Sequence, residues 1–259
     1  MHNSQIPSDF KLSSSSFKGK TILITGATDG IGRCAALYFA RAGATVVLHG
    51  RSETKLEELY DEIEQEGLAQ PAIYCLSLES ANAEAYTAMH DALANEFPKL
   101  DGLLINAAEL GARTPVQQYS PERWATVMQV NINASFLLSR ALLPLIRNSE
   151  HGRILFTSDQ SASQGKAYSA AYSVSKAASD ALMKVLAEEL DGLGDICVNS
   201  VDPGATRTRL RLNAYPAEDP MTVSPASKLM PSYAYLLSPI CTQSGKIFRA
   251  QPEHKSLEP

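Results

Sequence analysis

Short apolar runs alternate with longer amphipathic stretches along this chain. Thr21–Thr25 (TILIT), 44–48 (ATVVL), 72–76, 103–106, 153–157 (RILFT) and 196–201 are each too short for a buried helix and lack a one-sided polar face. They predict strands covered on both faces. A run at 245–248 predicts a short seventh strand. Between them, 31–42 reads as a helix closed by Gly43. Leu56, Leu59, Tyr60 and Ile63 form an i, i+3, i+4, i+7 stripe on a second helix that Ser52 can cap. Further helices are predicted over 82–97, from Pro121 to about Arg147, and over 168–190.

Strands alternating with helices predict an α/β fold: a doubly wound parallel sheet of six to seven strands, Rossmann-type, with helices on both faces. One domain over 19–250 is expected. Residues 1–18, with a serine run, read as a flexible arm, and 251–259 as a C-terminal tail. The stretch 204–235 breaks the rhythm with Pro216, Pro220, Pro225 and Pro231 and reads as a substrate lid. Tyr215, Met221, Leu229 and Met230 suggest that this lid is apolar, suited to a small or lipid-like molecule.

Composition narrows the function classes. The chain has 259 residues, 44% of them hydrophobic, with a net charge of -5. No basic stripe for nucleic acid or for an anionic membrane surface is present. The first residues have no apolar signal core, and the run from Phe136 to Ile146 is too short to span a bilayer. A cytoplasmic protein is expected. The four cysteines stand apart and the five histidines are scattered, so neither a disulfide framework nor a metal site is expected.

Two motifs carry chemistry. The first strand runs into Thr25-Gly26-Ala27-Thr28-Asp29-Gly30-Ile31-Gly32. Glycines let the backbone turn and approach a pyrophosphate, and the helix opening there points N–H groups at the anion. NAD-binding domains of this kind place an acid roughly 20 residues on. Between Arg33 and Ser52 there is no Asp or Glu, but Arg51 follows the second strand. A guanidinium there suits the 2′-phosphate of NADP. The plain alternative is a solvated loop charge. In the second motif, Tyr172 and Lys176 lie four apart on one helix face. A nearby ammonium lowers a phenol's pKa, which fits tyrosine for proton transfer beside a nicotinamide.

With TGATDGIG, INAA at 105–108, MQVNINASF at 128–136, YSVSK at 172–176 and NSVDPGATRT at 199–208, the chain resembles the short-chain dehydrogenase/reductase family over residues 19–210. The stretch 206–220 looks like its bacterial YciK-type oxidoreductases. The resemblance implies Tyr172 as general acid/base, Lys176 on the nicotinamide ribose, Asn131 holding a proton-relaying water, Asn106 and Ala107 beside the cofactor, and Pro203, Gly204 and Thr206 at the nicotinamide. It also implies a homodimer or homotetramer acting on a small carbonyl or alcohol.

Three positions depart from the family pattern. The usual serine, thirteen residues before the tyrosine, is Asp159, with Ser158 one step away. Ala108 stands for a glycine, and Ser77 for an aspartate near the adenine. An ionised Asp159 opposes Lys176 at Tyr172, whereas a protonated one could donate to a carbonyl. Two functions follow as expectations: an NADP-dependent oxidoreductase with Asp159 in the serine's place, or an NADP-binding sensor or interaction module with impaired catalysis.

Overall fold

The computed structural model describes residue 6 and residues 16–251. Most of the expected N-terminal arm and almost all of the C-terminal tail lie outside the described residues. The end of the arm packs on the core, where Phe17 is buried edge-on against Phe39.

Seven parallel strands form one sheet: β1 (Thr21–Thr25), β2 (Thr45–Gly50), β3 (Ala72–Cys75), β4 (Gly102–Ile105), β5 (Gly152–Thr157), β6 (Ile196–Asp202) and, after a two-residue pair β7 (Thr206–Arg207) with β8 (Ser224–Pro225), β9 (Ile247–Arg249). The order β3-β2-β1-β4-β5-β6-β9 winds outward in both directions from β1 and β4. That reversal of strand order leaves a crevice at the carboxyl ends of the strands.

Alternation along each strand sends side chains to opposite faces. Ile22, Ile24, Val46 and Leu48 meet α1 (Gly30–Arg41), α2 (Glu53–Gln65) and α9 (Met230–Leu237). Leu23, Val47, Leu103 and Ile154 meet α3 (Ala83–Glu96), α5 (Ala134–Arg147) and α7 (Ala170–Glu189). Both faces of the sheet are therefore dry, as the unbroken apolar strands require.

Three local expectations change. Ser52 stands at the N-cap of α2 but makes no side-chain capping bond. The helix expected from Pro121 is α4 (Pro121–Met128), a π turn over Gln129–Asn133, and then α5. The wider turn places Asn131, and π turns of this kind often mark functional sites. The expected lid is not one layer. Residues 204–215 face the crevice, with α8 (Arg209–Ala214) packed beside the glycine-rich turn, whereas Leu229 and Met230 are buried in the core with α9.

Candidate active site

A cleft of about 1340 Å³ runs along the carboxyl ends of the strands, from Arg51 and Ser77 at one end to Tyr172 and Tyr215 at the other. Gly26, Thr28, Asp29, Gly30 and Ile31 form its floor, and Asn106, Ala107, Ala108, Pro203, Gly204 and Thr206 its walls. Gly32 lies beneath the floor: a Cβ there would stand 2.1 Å from the Gly26 carbonyl oxygen. Gly26 has φ +66°, and a Cβ on it would press on Ala107 at 3.1 Å. Only glycine permits this turn to lie so close to the next strand's end. Asp29 caps α1 by accepting from the Gly30 N–H at 2.7 Å and pairs with Arg209 of α8 at 3.2 Å. Glycines, a long helix opening on the cleft, and the exposed Arg51 with no acid at the end of β2 fit a phosphorylated dinucleotide. Ala108 lines the cleft without closing it.

Hydrogen bonds tie the strand ends together behind this floor. The Thr25 hydroxyl accepts from the Asn106 and Ala107 N–H groups at 2.8 and 3.0 Å. The Thr157 hydroxyl donates to Asn106 Oδ1 at 3.2 Å. Lys176 Nζ donates to the Thr157 carbonyl at 2.7 Å. One network thus holds β1, β4 and β5 in register with α7.

At the far end, Tyr172, Lys176 and Asp180 follow one another at four-residue spacing on the buried face of α7. Lys176 Nζ stands 5.7 Å from the centre of the Tyr172 ring. Tyr172 Oη donates to Asp159 Oδ2 at 3.3 Å, and Asp159 Oδ1 accepts from the Ser161 N–H at 2.7 Å. Burial, then the Asp159 carboxylate, hold the Tyr172 phenol well above its ordinary range. Burial lowers the Lys176 ammonium, while Asp159 and Asp180 pull it back up. Ser158 also lines the cleft, but its hydroxyl donates to Asp180 Oδ2 at 2.7 Å and so turns toward α7. Asp159, not Ser158, is the residue that meets the tyrosine.

Asn131 does not reach the cleft wall. Its Oδ1 accepts from the Glu109 N–H at 2.7 Å, and its Nδ2 donates to the Glu109 carbonyl and to Ser175 Oγ, both at 2.9 Å. The side-chain amide braces the loop after β4 against α7 and has no donor left for a water.

Several cleft residues escaped the sequence reading. Asp202, immediately before Pro203, is a buried acid whose pKa is raised by desolvation, with Asp159 adding to the shift. Asp180 was legible, four residues after Lys176. Arg113, Arg211 and Glu109 converge only through the fold. Among the described residues no cluster of His, Cys, Asp or Glu could hold a metal ion, and no helix is long and apolar enough to cross a membrane.

Comparison with known proteins agrees with this geometry. A family model described as short chain dehydrogenase matches residues 20–219. The uncharacterized oxidoreductase YciK of Escherichia coli (strain K12) is 42% identical over 237 residues, 91% of this chain and 93% of that one. A short chain dehydrogenase of Escherichia coli CFT073, solved with NADPH, superimposes with a TM-score of 0.90 at 41% identity, covering 93% of this chain and 100% of that one. Its counterpart from Shigella flexneri 2a, solved with NADP, gives the same TM-score at 40% identity, again over 93% and 100%.

Proposed function

The chain belongs to the short-chain dehydrogenase family, and from that premise we propose that it is an NADP-dependent oxidoreductase interconverting a carbonyl and an alcohol. The observation that carries this reading is the tyrosine at the end of the cleft, beside a lysine on one side and hydrogen-bonded to Asp159 on the other.

Relatives that share about 40% of its residues bind NADPH or NADP, and the glycine turn and Arg51 provide what that cofactor needs. When bound, the cofactor supplies or accepts the hydride. Tyr172 gives its proton to the substrate oxygen as the alcohol forms, and takes it back in the reverse direction. Burial and Asp159 favour the protonated phenol, the form that donates when a carbonyl is reduced. Lys176, fixed by the Thr157 carbonyl, stands beside the phenol, where its charged form favours the phenolate. Asp159 stands where the substrate oxygen must approach. In its neutral form it donates a hydrogen bond there, and in its charged form it repels a developing oxyanion.

The same contact favours a second reading, a dinucleotide-binding protein with weakened catalysis. NADPH oxidation against a broad carbonyl panel, with wild type, Tyr172→Phe and Asp159→Ser side by side, separates the two. Turnover by wild type that disappears in Tyr172→Phe supports the enzyme. Silence from wild type with turnover gained by Asp159→Ser supports the binding protein.

A further inference from the structure

The outer end of the cleft is walled by polar and cationic side chains. Arg113 comes from the loop after β4, Gln164 and Lys166 from α6 (Ser161–Gln164) and the turn after it, and Arg211 and Asn213 from α8. Of the four residues expected to form an apolar lid, Tyr215 lines the cleft, whereas Leu229 and Met230 lie in the core and Met221 is exposed away from it. Leu110, Leu210 and Ala214 share the wall with these charges, so this end can meet both an apolar and an anionic part of a molecule.

Tyr215 organises the charge. The Arg211 guanidinium lies 3.7 Å from the centre of its ring, and the Arg113 guanidinium 5.1 Å. Arg211 is neutralised by Glu218 through two hydrogen bonds of 2.7 Å. Arg113 is exposed at the mouth of the cleft and has no carboxylate within ion-pair distance among the described residues, so its charge faces solvent. Two carboxylates share this part of the wall, and neither serves it. Asp159 is held by Ser161 and Tyr172, and Glu109 Oε1 accepts from the Gly111 N–H at 3.4 Å. Arg113 is thus the guanidinium on this ring that lacks a carboxylate partner, and an anion entering the cleft would supply one. The planar fork of arginine matches a carboxylate or phosphate with two parallel hydrogen bonds.

We propose that Arg113, held on the Tyr215 ring, receives an anionic group of the substrate, so that the compound reduced is an oxo acid carrying a carboxylate or phosphate. This rests on the oxidoreductase reading for the carbonyl, and on the cleft wall for the anion.

The test pairs oxo acids of increasing chain length with their neutral methyl esters, using wild type, Arg113→Gln and Arg113→Lys. Calorimetric binding of unreactive dicarboxylates and of inorganic phosphate to the same proteins, with NADP present, gives a readout independent of turnover. In wild type, kcat/KM for an acid exceeds that for its ester, and Arg113→Gln lowers this ratio about ten-fold or more through KM, with partial recovery in Arg113→Lys. Anion binding weakens in parallel. Equal anion affinity in wild type and Arg113→Gln overturns the proposal whether or not any substrate turns over. Esters reduced as well as acids overturn it while leaving the oxidoreductase reading intact. Anion binding without any carbonyl turnover supports the site and removes that reading.

Discussion

The hydroxyl of Tyr172 and the carboxylate of Asp159 share a hydrogen bond of 3.3 Å at the end of the cleft. The phenol is thereby surrounded by groups that favour its neutral form: an apolar interior, Asp159, and more distantly Asp202. The Lys176 ammonium stands 5.7 Å from the ring centre, and burial has lowered its own pKa. The first expected outcome concerns this balance. Oxidation of an alcohol requires the phenolate, so its rate rises only at high pH. Asp159→Ser removes the main charged contributor and moves that rise to lower pH. A pH profile of kcat/KM in the oxidising direction reads it, and an unmoved profile would show that Asp159 does not tune Tyr172.

Arg51 gives the second prediction. Arg51→Glu replaces a cation at the end of β2 with the acid that suits a ribose 2′-OH. The Kd for NADPH should rise about ten-fold or more, while that for NADH stays level or falls. Fluorescence titration of the reduced cofactors measures both. Equal losses for the two would mean that Arg51 does not read the phosphate.

His49 supplies a pH prediction for stability. It is fully buried on β2, neither ring nitrogen has a partner, and burial lowers its pKa to about 4. The unfolded chain takes up a proton near pH 6.5 that the folded chain refuses until about 4. Stability from this group is therefore complete above pH 6.5 and lost as pH falls toward 4, a total of about 3 kcal/mol. His49→Leu should flatten the acid side of a urea-midpoint curve over this window. An unchanged slope would mean that other groups set the acid limit.

A fourth prediction concerns Arg153, fully buried within β5. Its guanidinium donates to the carbonyls of Ser238, Asp195, Gly152 and Pro239 and pairs with the half-exposed Asp195. It fastens β5 to the segment after α9. Arg153→Met keeps the length but strands these acceptors, and should cost about 2–4 kcal/mol in denaturant unfolding. A loss under about 1 kcal/mol would show that the carbonyls find other donors.

The sequence was most informative where one local rule decides the outcome. TILIT has no polar face and became a central strand, and the glycine turn after it is dictated by approaches as short as 2.1 Å. Tyr172 and Lys176 were legible because helix periodicity fixes their shared face. Asp159 was legible only as a departure, since counting from Tyr172 says nothing of where a carboxylate turns. Arg113 and Tyr215 lie about a hundred residues apart in sequence and touch because β4 and β6 end on the same side of the sheet. Leu229 and Met230 misled because an apolar side chain looks the same in a lid and in a core. The π turn had no sequence signal of its own, because Val130, Asn131, Ile132 and Asn133 are only modest helix formers of a kind that regular helices also contain, with no glycine or proline to mark a break.

That π turn absorbs a residue without turning the helix that follows. It winds one residue more into a turn than the α-helices on either side. Excising a single residue from Gln129–Asn133 would let α4 and α5 join as one regular helix with their faces still in phase. Leu138, Leu142 and Leu145 would go on facing the sheet while Arg140 and Arg147 face out. The same excision inside α5 would rotate everything after it by about 100°. The π turn is therefore the place in this long helical segment where a one-residue change of length costs least to the core, and that cost falls on the position of Asn131.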